Sequence, residues 1–321
     1  MPKVSVVVPI YGVEKYIERC VRSLFSQTLD DIEFVFIDDC TIDNSMLILE
    51  NLIIEFEEHI DNMHWSIVRY KMPRNSGLPS VRKRGIELAT GDYILHCDSD
   101  DWMDSNMVSD MWNLANDRNL DVVICDFFES TGKEEIYCNG VGSDINTVFF
   151  DIFKSVYSWA LWNKLFKKEL YDNSIIFPKS NIGEDMALTL QLLHYGKSIG
   201  HVGKPLYYYF KNPTSMTQTK TDTQIINNML QWKDNVLILE SFFKHSTDRQ
   251  VHNCLLLIKY KVKNCILPLL DSRINYRIWR ETFKEINISA LFCPYIDIKS
   301  KLLFLALSFG FFSFYKNAVQ E

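Results

Sequence analysis

The sequence predicts an α/β protein in which a mostly parallel sheet is covered by helices, followed by a helical C-terminal region. In the first 130 residues, short apolar runs rich in β-branched residues alternate with stretches of helical spacing. The apolar runs are continuous, which is typical of strands buried on both faces. From about residue 222 onward the spacing is helical, so we expect 1–215 to form one domain and 216–321 a helical extension.

The individual elements follow from this periodicity in chain order. Continuous apolar runs predict strands at residues 4–9, 32–37, 66–70, 93–97 and 121–126. Apolar residues at intervals of three and four predict helices at residues 14–27, 45–56, 79–89 and 106–116. Beyond residue 130 the same criteria predict helices at 159–166, 181–195, 223–243 and 251–267, a strand at 207–210, and a loop at 130–144.

Composition and charge exclude some classes of protein. The formal net charge of −7 argues against a nucleic-acid partner, because such proteins neutralise phosphates with basic residues. Eight cysteines are scattered without a CxxC or His/Cys metal spacing, which predicts reduced thiols and a cytoplasmic location. The chain enters its first strand directly, so no leader is expected. There is no GxGxxG after that strand and no P-loop motif.

The C-terminal region differs in charge from the rest. Residues 240–321 contain 12 basic and 7 acidic side chains, and residues 302–315 are almost wholly apolar. Fourteen residues are too few to span a bilayer, which takes about 20. As a helix flanked by Lys299, Lys301 and Lys316, this segment predicts peripheral contact of 299–316 with the inner face of the cell membrane. The alternative is a core helix that packs back on the domain.

An acidic cluster follows the predicted strand at 93–97. Asp98-Ser99-Asp100-Asp101 places three mutually repelling carboxylates in four residues, an arrangement suited to a hard divalent cation with phosphate co-ligands. The alternative is a solvated turn that caps the next helix. The first two strands end in Pro9-Ile10-Tyr11 and Asp38-Asp39, and ligands bind outside the carboxyl ends of strands in such sheets. We therefore expect one crevice where these ends meet.

Seven segments in order carry a resemblance to a known family. They are VSVVVPIY at 4–11, SLFSQT at 23–28, IDDCTIDNS at 37–45, NSG at 75–77 leading to VR at 81–82, GDYI at 91–94 with DSDD at 98–101, WNKLF at 162–166, and GED at 183–185. Their sequence and spacing resemble family 2 glycosyltransferases with the GT-A fold, of the bacterial surface-polysaccharide type. The resemblance covers residues 3–215, and the last hundred residues show no pattern that we can assign.

The resemblance implies transfer of a sugar from a nucleoside-diphosphate sugar, with a UDP-sugar favoured. By this similarity Asp39 accepts hydrogen bonds from the base, whether uracil or guanine, while Pro9 and Tyr11 lie where a ring covers it. Arg82 is placed to approach the diphosphate, and Asp98 faces the ribose and donor sugar. Asp39 could instead form an Asx turn or helix cap, and Arg82 could belong to a solvated basic face.

The resemblance also implies a metal and a base. Asp100 is the implied ligand of a divalent ion, Mn²⁺ or Mg²⁺, and Asp185 is the implied general base that makes the transfer inverting. Asp185 and Glu184 could also simply favour the start of a helix through its dipole. Trp162 and Glu184 are assigned to the acceptor side, with a core position as the alternative for Trp162. The expected acceptor is a glycan or lipid-linked glycan in cell-surface polysaccharide synthesis.

Two features depart from the family pattern, and two other functions compete. Cys40 stands where the turn normally has glycine, and Lys83 follows Arg82 where asparagine is usual. The first competing function is a catalytically inactive subunit that binds a nucleotide sugar and partners an active enzyme. The second, a sugar-nucleotide pyrophosphorylase, would require a glycine-rich loop with a basic residue after the first strand, and residues 9–14 do not provide one.

Overall fold

The computed structural model describes residues 1–142, 144–213, 215, 221–270 and 272–309. Its strands are β1 Val4–Ile10, β2 Ile32–Asp38, β3 Ser66–Lys71, β4 Tyr93–His96, β5 Trp102–Met103, β6 Val122–Ser130, β7 Glu135–Cys138, β8 Lys164–Lys167 and β9 Ile199–Phe210. The helices of the first two thirds are α1 Ile17–Leu24, α2 Ser45–Glu55, α3 Glu57–Asn62, α4 Leu78–Leu88, α5 Met107–Arg118, α6 Val148–Phe153 and α7 Glu184–Tyr195. The C-terminal helices are α8 Asp222–Phe242, α9 Arg249–Asn264, α10 Arg273–Glu281, α11 Ile286–Ser289 and α12 Ile298–Ser308.

The strands form one sheet in the order β3-β2-β1-β4-β8-β6-β9-β5, with β7 paired to β6. The first four are parallel, and Val4 pairs with Ile32 on one side and Tyr93 on the other. Strand β8 runs antiparallel between β4 and β6, and β9 lies parallel to β6. The predicted mostly parallel sheet is therefore confirmed for the half that carries the acidic cluster, and antiparallel strands extend it.

Helices cover both faces of this sheet, as the continuous apolar runs predict. Along β1, Val6 and Val8 face one hydrophobic core, which also contains buried residues of α1, α2 and α5. Val7 faces the other core, which includes residues of α4 and α7. Because successive side chains of a strand point to opposite faces, one apolar run supplies both cores.

The C-terminal helices extend the core on the α7 side. Met229 of α8, Leu257 of α9, Trp279 of α10 and Phe304 of α12 are buried in the same apolar cluster as α7. The division of the chain at residue 215 stays a prediction. Within the described ranges, no helix is long and apolar enough to cross a membrane. Helix α12 covers the first part of the predicted apolar tail, and residues 310–315 of that prediction lie outside the described residues.

Two local predictions were wrong. The segment 159–166 is not a helix: its second half begins β8, which pairs with β4 and β6. The predicted loop at 130–144 contains β7. A short apolar run reads equally well as a buried helix or a buried strand. The segment becomes a strand because it pairs with β4 and β6, which come from distant parts of the chain. The spacing of its own apolar residues does not indicate this pairing.

Candidate active site

Three parallel strands end side by side at one edge of the sheet. β1 lies between β2 and β4, and the amide of Asp39 donates to the carbonyl of Ile10 at 3.0 Å, so the loops after β1 and β2 are joined. Pro9 is buried within β1, whereas the Tyr11 side chain just beyond the strand is 49% exposed. An accessible aromatic ring therefore lies at the sheet edge where the crevice is predicted.

Asp39 holds the loop that precedes α4. Its Oδ1 accepts a hydrogen bond from the amide of Ser76 at 2.7 Å, and its Oδ2 accepts one from the amide of Gly77 at 3.0 Å. The side chain is buried. Each carboxylate oxygen can accept a second hydrogen bond, so Asp39 could hold this loop and contact a nucleotide base at the same time. The contact with the nucleotide base stays a prediction.

Asp38 and Cys40 shape the turn between β2 and α2. Asp38 Oδ1 accepts a hydrogen bond from the amide of Thr41 at 2.7 Å, a contact that stabilises the turn. Cys40 has a φ of 58°, in the left-handed region that favours glycine. The turn therefore keeps a conformation for which glycine is the usual residue, at a local conformational cost carried by Cys40.

The acidic cluster after β4 contains two carboxylates that are partly exposed, Asp98 and Asp100. Asp98 Oδ1 accepts a hydrogen bond from Arg82 Nη2 at 2.6 Å. Asp100 Oδ2 accepts one from Asn212 Nδ2 at 2.9 Å. Burial raises the pKa of Asp100, and the nearby charge of Asp98 raises it further. A cation beside Asp100 would offset both effects, because it favours the charged form of the carboxylate.

Asp101 has a structural position. Its carboxylate is 1% exposed and accepts hydrogen bonds from the hydroxyl of Tyr207 and from the amide of Phe210, both at 2.7 Å. Burial raises the pKa of Asp101, and the charges of Asp100 and Asp98 add to this effect. Asp101 thus fixes the acidic loop to β9.

Arg19 and Asn212 support the acidic loop and were missed by sequence reasoning. The Arg19 guanidinium lies 3.7 Å from the ring centroid of Trp102 and donates to the main-chain carbonyl of Asp100 at 2.9 Å. Asn212 lies just after β9, 112 residues beyond the aspartate that it contacts. Neither belongs to a local motif, and no signal in the sequence pairs them with Asp100.

Arg82 links the acidic loop to the start of α7. Its Nε donates to Glu184 Oε1 at 2.8 Å, while its Nη2 binds Asp98, and both Arg82 and Glu184 are 3% exposed. Burial raises the pKa of Glu184 to about 7, although Arg82 opposes the shift. Within the described residues, Arg82 Nη1 and Glu184 Oε2 are buried without a hydrogen-bond partner. Arg82 is therefore not part of a solvated basic face, whereas the neighbouring Lys83 is exposed.

Asp185 lies in the first turn of α7, next to Glu184. Gly183 caps this helix with a φ of 81°, and a Cβ on Gly183 would lie 2.3 Å from the ring of Trp232 in α8. Asp185 Oδ1 accepts a hydrogen bond from the amide of Met186 at 2.8 Å. Burial raises the pKa of Asp185, opposed in part by the charges of Arg82 and Lys164. Long-range packing therefore sets both the position and the proton affinity of this carboxylate.

Trp162 lies in an aromatic stack. Its ring is parallel to that of Tyr207 at a centroid distance of 4.4 Å and to that of Tyr209 at 5.6 Å, and Phe127 contacts it edge-on at 4.8 Å. With an exposure of 6%, Trp162 fits the core alternative considered from the sequence. Its assignment to the acceptor side, like that of the buried Glu184, stays a prediction.

The carboxylates of Asp98 and Asp100 fit a divalent ion that is shared with a diphosphate. No group of three or more His, Cys, Asp or Glu side chains that could hold a metal occurs in the described part of the chain. Mg²⁺ in phosphate sites commonly takes only one or two protein carboxylates, because phosphate oxygens and waters supply the other ligands. Two neighbouring oxygen-donor side chains, one with a raised pKa from burial and like charge, suit that arrangement.

Comparisons with solved structures identify the fold. The chain matches Staphylococcus aureus TarS (residues 1–349), in a structure titled as a complex with UDP-GlcNAc, with a TM-score of 0.58, 18% identity and 90% of both chains covered. It also matches the mannosyltransferase PcManGT from Pyrobaculum calidifontis, in a structure titled as a complex with GDP-Man and Mn²⁺, with a TM-score of 0.56 and 13% identity over 99% of this chain and 83% of the other. The expected GT-A fold is confirmed.

Sequence comparisons identify the family. The profile described as "Glycosyl transferase family 2" matches residues 5–176, more than half of the chain. Among curated proteins, the one named "Putative glycosyltransferase EpsH" of Bacillus subtilis (strain 168) is 31% identical over 257 residues, covering 74% of this chain and 70% of EpsH. The geometry of the acidic loop, the family profile and this relative agree. The chain belongs to glycosyltransferase family 2.

Proposed function

We propose that this chain transfers a sugar from a nucleoside-diphosphate sugar to a hydroxyl of a glycan or lipid-linked glycan acceptor, with inversion at the anomeric carbon. The observation that carries the proposal is the Arg82 bridge. One buried guanidinium binds both Asp98 of the predicted donor site and Glu184, the neighbour of the predicted base Asp185. Such a bridge holds the proposed donor site at Asp98 and the proposed base, Asp185, at a fixed separation.

A UDP-sugar is the favoured donor. TarS is titled as a complex with UDP-GlcNAc and PcManGT as a complex with GDP-Man, so the fold accommodates more than one base. Each Asp39 oxygen has accepting capacity beyond its contact with the 76–77 loop, and the exposed Tyr11 ring can cover a base. These features support binding of a base that presents N–H donors.

A divalent ion, Mn²⁺ or Mg²⁺, is proposed to bind Asp100, with Asp98 beside it. When bound, such an ion neutralises the charge that develops on the leaving diphosphate. Asn212 and Arg19 hold the Asp100 loop in place through its side chain and its main chain. Arg82 orients Asp98 toward the donor through its 2.6 Å contact, and in this proposal it acts through that carboxylate.

Asp185 is proposed to accept the proton of the attacking hydroxyl. In the transfer step the acceptor oxygen forms a bond to the anomeric carbon on the face opposite the diphosphate. The bond from that carbon to the diphosphate oxygen breaks, and the electron pair leaves with the nucleoside diphosphate. The acceptor proton passes to the Asp185 carboxylate, so charge and atoms balance. The position of Asp185 on a different element from the acidic loop supports this division of roles.

Contact with an anionic membrane surface is proposed for the C-terminal region, in a protein that acts at the inner face of the cell membrane. On α12, Phe304 and Leu307 are buried while Ile298 and Leu302 are 75% and 63% exposed, so the helix has an apolar face directed away from the core. Lys299 is exposed beside it. Exposed apolar residues flanked by lysine suit the interface of an anionic bilayer, where a lipid-linked acceptor would be anchored.

The test is a donor panel. Binding and donor hydrolysis are measured with UDP-, GDP- and TDP-sugars in Mn²⁺, Mg²⁺ or EDTA, for the wild type and Asp100→Ala, with the exposed Asp92→Ala of the same region as control. Turnover of one donor that requires metal and is lost only in Asp100→Ala supports the proposal. Binding without turnover of any donor would favour the inactive partner subunit, and absence of binding to every donor would contradict the proposal.

A further inference from the structure

One turn of helix α8 holds the segment that leads into α7. Asn235 Nδ2 donates to the main-chain carbonyls of Ser180 and Ile182, both at 2.9 Å. The amide of Ile182 in turn donates to Gln231 Oε1 at 3.2 Å. Residues four apart lie on the same face of a helix. A single face of α8 therefore fixes the backbone of this segment through three hydrogen bonds.

Asn235 provides this geometry at a cost to stability. Its side chain is fully buried, and in the part of the chain that the structure describes its Oδ1 has no hydrogen-bond partner. A buried polar atom without a partner is destabilising, and an apolar side chain, such as those of the buried Val236 and Leu239, would avoid that cost. An apolar side chain could not, however, donate to two carbonyls, so the distinctive contribution of Asn235 is positional.

The segment held by α8 is attached to α4 at two points. Asn181 lies between the two residues whose carbonyls bind Asn235, and its Oδ1 accepts a hydrogen bond from the amide of Leu78 at 3.0 Å. Three residues further on, Glu184 Oε1 accepts one from Arg82 Nε at 2.8 Å. Leu78 and Arg82 are about one turn apart on α4. Attachment at one point would let the segment pivot, whereas attachment at two points also fixes its direction.

Asp185 directly follows this segment, so its position depends on the path of residues 180–184. The loops that we propose to bind the nucleotide have separate supports, because Asp39 accepts two backbone amides and Asn212 binds Asp100. Release of the segment from α8 should therefore displace Asp185 and leave the nucleotide site in place.

We propose that α8 is a positioning element of the transfer site and that Asn235 is its central positioning residue. By holding the segment before α7, Asn235 keeps Asp185 at the distance from the donor sugar that proton transfer in the attack requires. The proposal rests on the proposed function, because it requires Asp185 to be the base. Helix α8 lies beyond residues 5–176, which the family profile matches, so this role does not follow from the family motifs.

The contrasting role is purely structural, with α8 only packing against α7. Loss of the Asn235 hydrogen bonds would then lower the Tm, and any effect on function would reduce the affinity for UDP and kcat together. A positioning role predicts a folded variant that binds UDP like the wild type but turns over slowly. The two roles therefore differ in whether kcat falls without a loss of UDP affinity.

The test measures kcat for UDP release, with water as the acceptor and the sugar nucleotide that turns over in the donor panel, beside the Kd for UDP with Mn²⁺. Asn235→Leu keeps the size of the side chain and removes both hydrogen-bond donors. Asn227→Leu, on an exposed position of the same helix, is the matched control. Misplacement by about 1 Å can slow a reaction by about 10²-fold. We therefore expect Asn235→Leu to lose about 10- to 100-fold in kcat at the wild-type Kd, and Asn227→Leu to keep both values.

A folded Asn235→Leu variant with the kcat of the wild type would overturn the proposal, as would one that loses UDP affinity as strongly as kcat. If Asn235→Leu does not fold, Gln231→Met decides, because it removes the acceptor of the Ile182 amide. A lower kcat at the wild-type Kd supports the proposal, and any other result for Gln231→Met contradicts it.

The double variant Asn235→Leu/Asp185→Asn separates this proposal from the proposed function. A residue that acts through Asp185 should cause no further loss once that carboxylate is gone, because residues that act as a unit have non-additive effects. Under single turnover with enzyme in excess, equal rates for the double variant and Asp185→Asn support the proposal. Losses that multiply overturn the role of Asn235 alone, whereas turnover at the wild-type rate in Asp185→Asn overturns the role of Asp185 and this proposal with it.

Discussion

The two sides of the crevice hold their carboxylates by different means. On the side that we propose to bind the donor, which comprises the loops after β1, β2 and β4, Asp39 is held by backbone amides, Asp100 by an asparagine and Asp98 by Arg82. On the side that we propose to bind the acceptor, which comprises β8 with the loop before it and α7, Glu184 is held by a guanidinium 102 residues away in sequence. The donor side is thus built mainly from neutral donors, and the acceptor side depends on buried charge.

This difference has an energetic consequence. A carboxylate that accepts hydrogen bonds from backbone amides loses little stabilisation when one neighbouring side chain is substituted. A buried carboxylate balanced by a single cation becomes unpaired when that cation is removed, which is far more costly. Substitutions that disturb the acceptor side should therefore affect both stability and turnover, and Arg82, which contacts both sides, should have the largest effect.

Arg82→Met is expected to have the largest effect on stability. It leaves the buried Glu184 and the partly buried Asp98 without their cation, and breaking a buried ion pair typically costs about 3 to 5 kcal/mol. Urea unfolding measures the loss. The adjacent Lys83→Met, on the exposed face of α4, should stay within about 0.5 kcal/mol of the wild type. Equal stability of the two variants would show that the bridge does not join the two sides.

The pH dependence of stability should report Glu184. Its folded pKa of about 7 lies above the ordinary value of 4.5, because burial disfavours the charged form. Between these two values the folded state binds more protons than the unfolded state, so stability falls as pH rises through this window. The contribution is up to about 3 kcal/mol, at 1.36 kcal/mol per unit of pKa shift.

Urea unfolding of the wild type and Glu184→Gln at several pH values from 4.5 to 7 isolates this contribution. Glutamine keeps the shape and an acceptor for Arg82 but does not titrate. The wild type should lose stability relative to Glu184→Gln across this window. Parallel curves for the two proteins would mean that the pKa of Glu184 is the same in the folded and unfolded states, and the contrast between the two sides would weaken.

Gly183→Ala should have a smaller effect, confined to the acceptor side. The new Cβ would meet the ring of Trp232 at 2.3 Å, in a backbone conformation with φ of 81°. Such strain typically costs about 1 to 3 kcal/mol. Because the start of α7 must shift, we expect kcat to fall more than the affinity for UDP.

Gly203→Ala is the matched control, since its Cβ would meet only one atom, His201 Cε1, at 3.8 Å. It should leave stability and kcat close to those of the wild type. A Gly183→Ala variant that loses affinity for UDP as strongly as it loses kcat would show that the start of α7 shapes the donor side as well.

The same difference explains what the sequence could predict. The donor side was predictable because its residues fall in short motifs at strand ends, where the carboxyl ends of parallel strands must meet. The predicted strands 4–9 and 32–37 differ from β1 and β2 by one residue each. Even the unexpected Cys40 keeps the left-handed conformation that suits glycine.

The acceptor side was less predictable because it depends on distant contacts. Glu184 and Asp185 were recognised from a motif, but nothing local indicates that Arg82 binds Glu184 or that Lys164 is fully buried. The segment 159–166 was assigned to a helix because apolar spacing does not distinguish a buried helix from a buried strand over so few residues. The identity of β8 depends on β4 and β6, which come from elsewhere in the chain.

The measurement that tests the central claim most directly compares Asp100→Asn with Asp185→Asn. Both substitutions replace a carboxylate with an amide of the same shape. Affinity for UDP with Mn²⁺ and the rate of sugar transfer are measured for each. We expect Asp100→Asn to lose metal-dependent affinity for UDP together with transfer. We expect Asp185→Asn to lose transfer by a factor of about 10² to 10⁴, the usual contribution of a general base, and to bind UDP like the wild type. Loss of UDP affinity in Asp185→Asn, or transfer at the wild-type rate, would contradict the account.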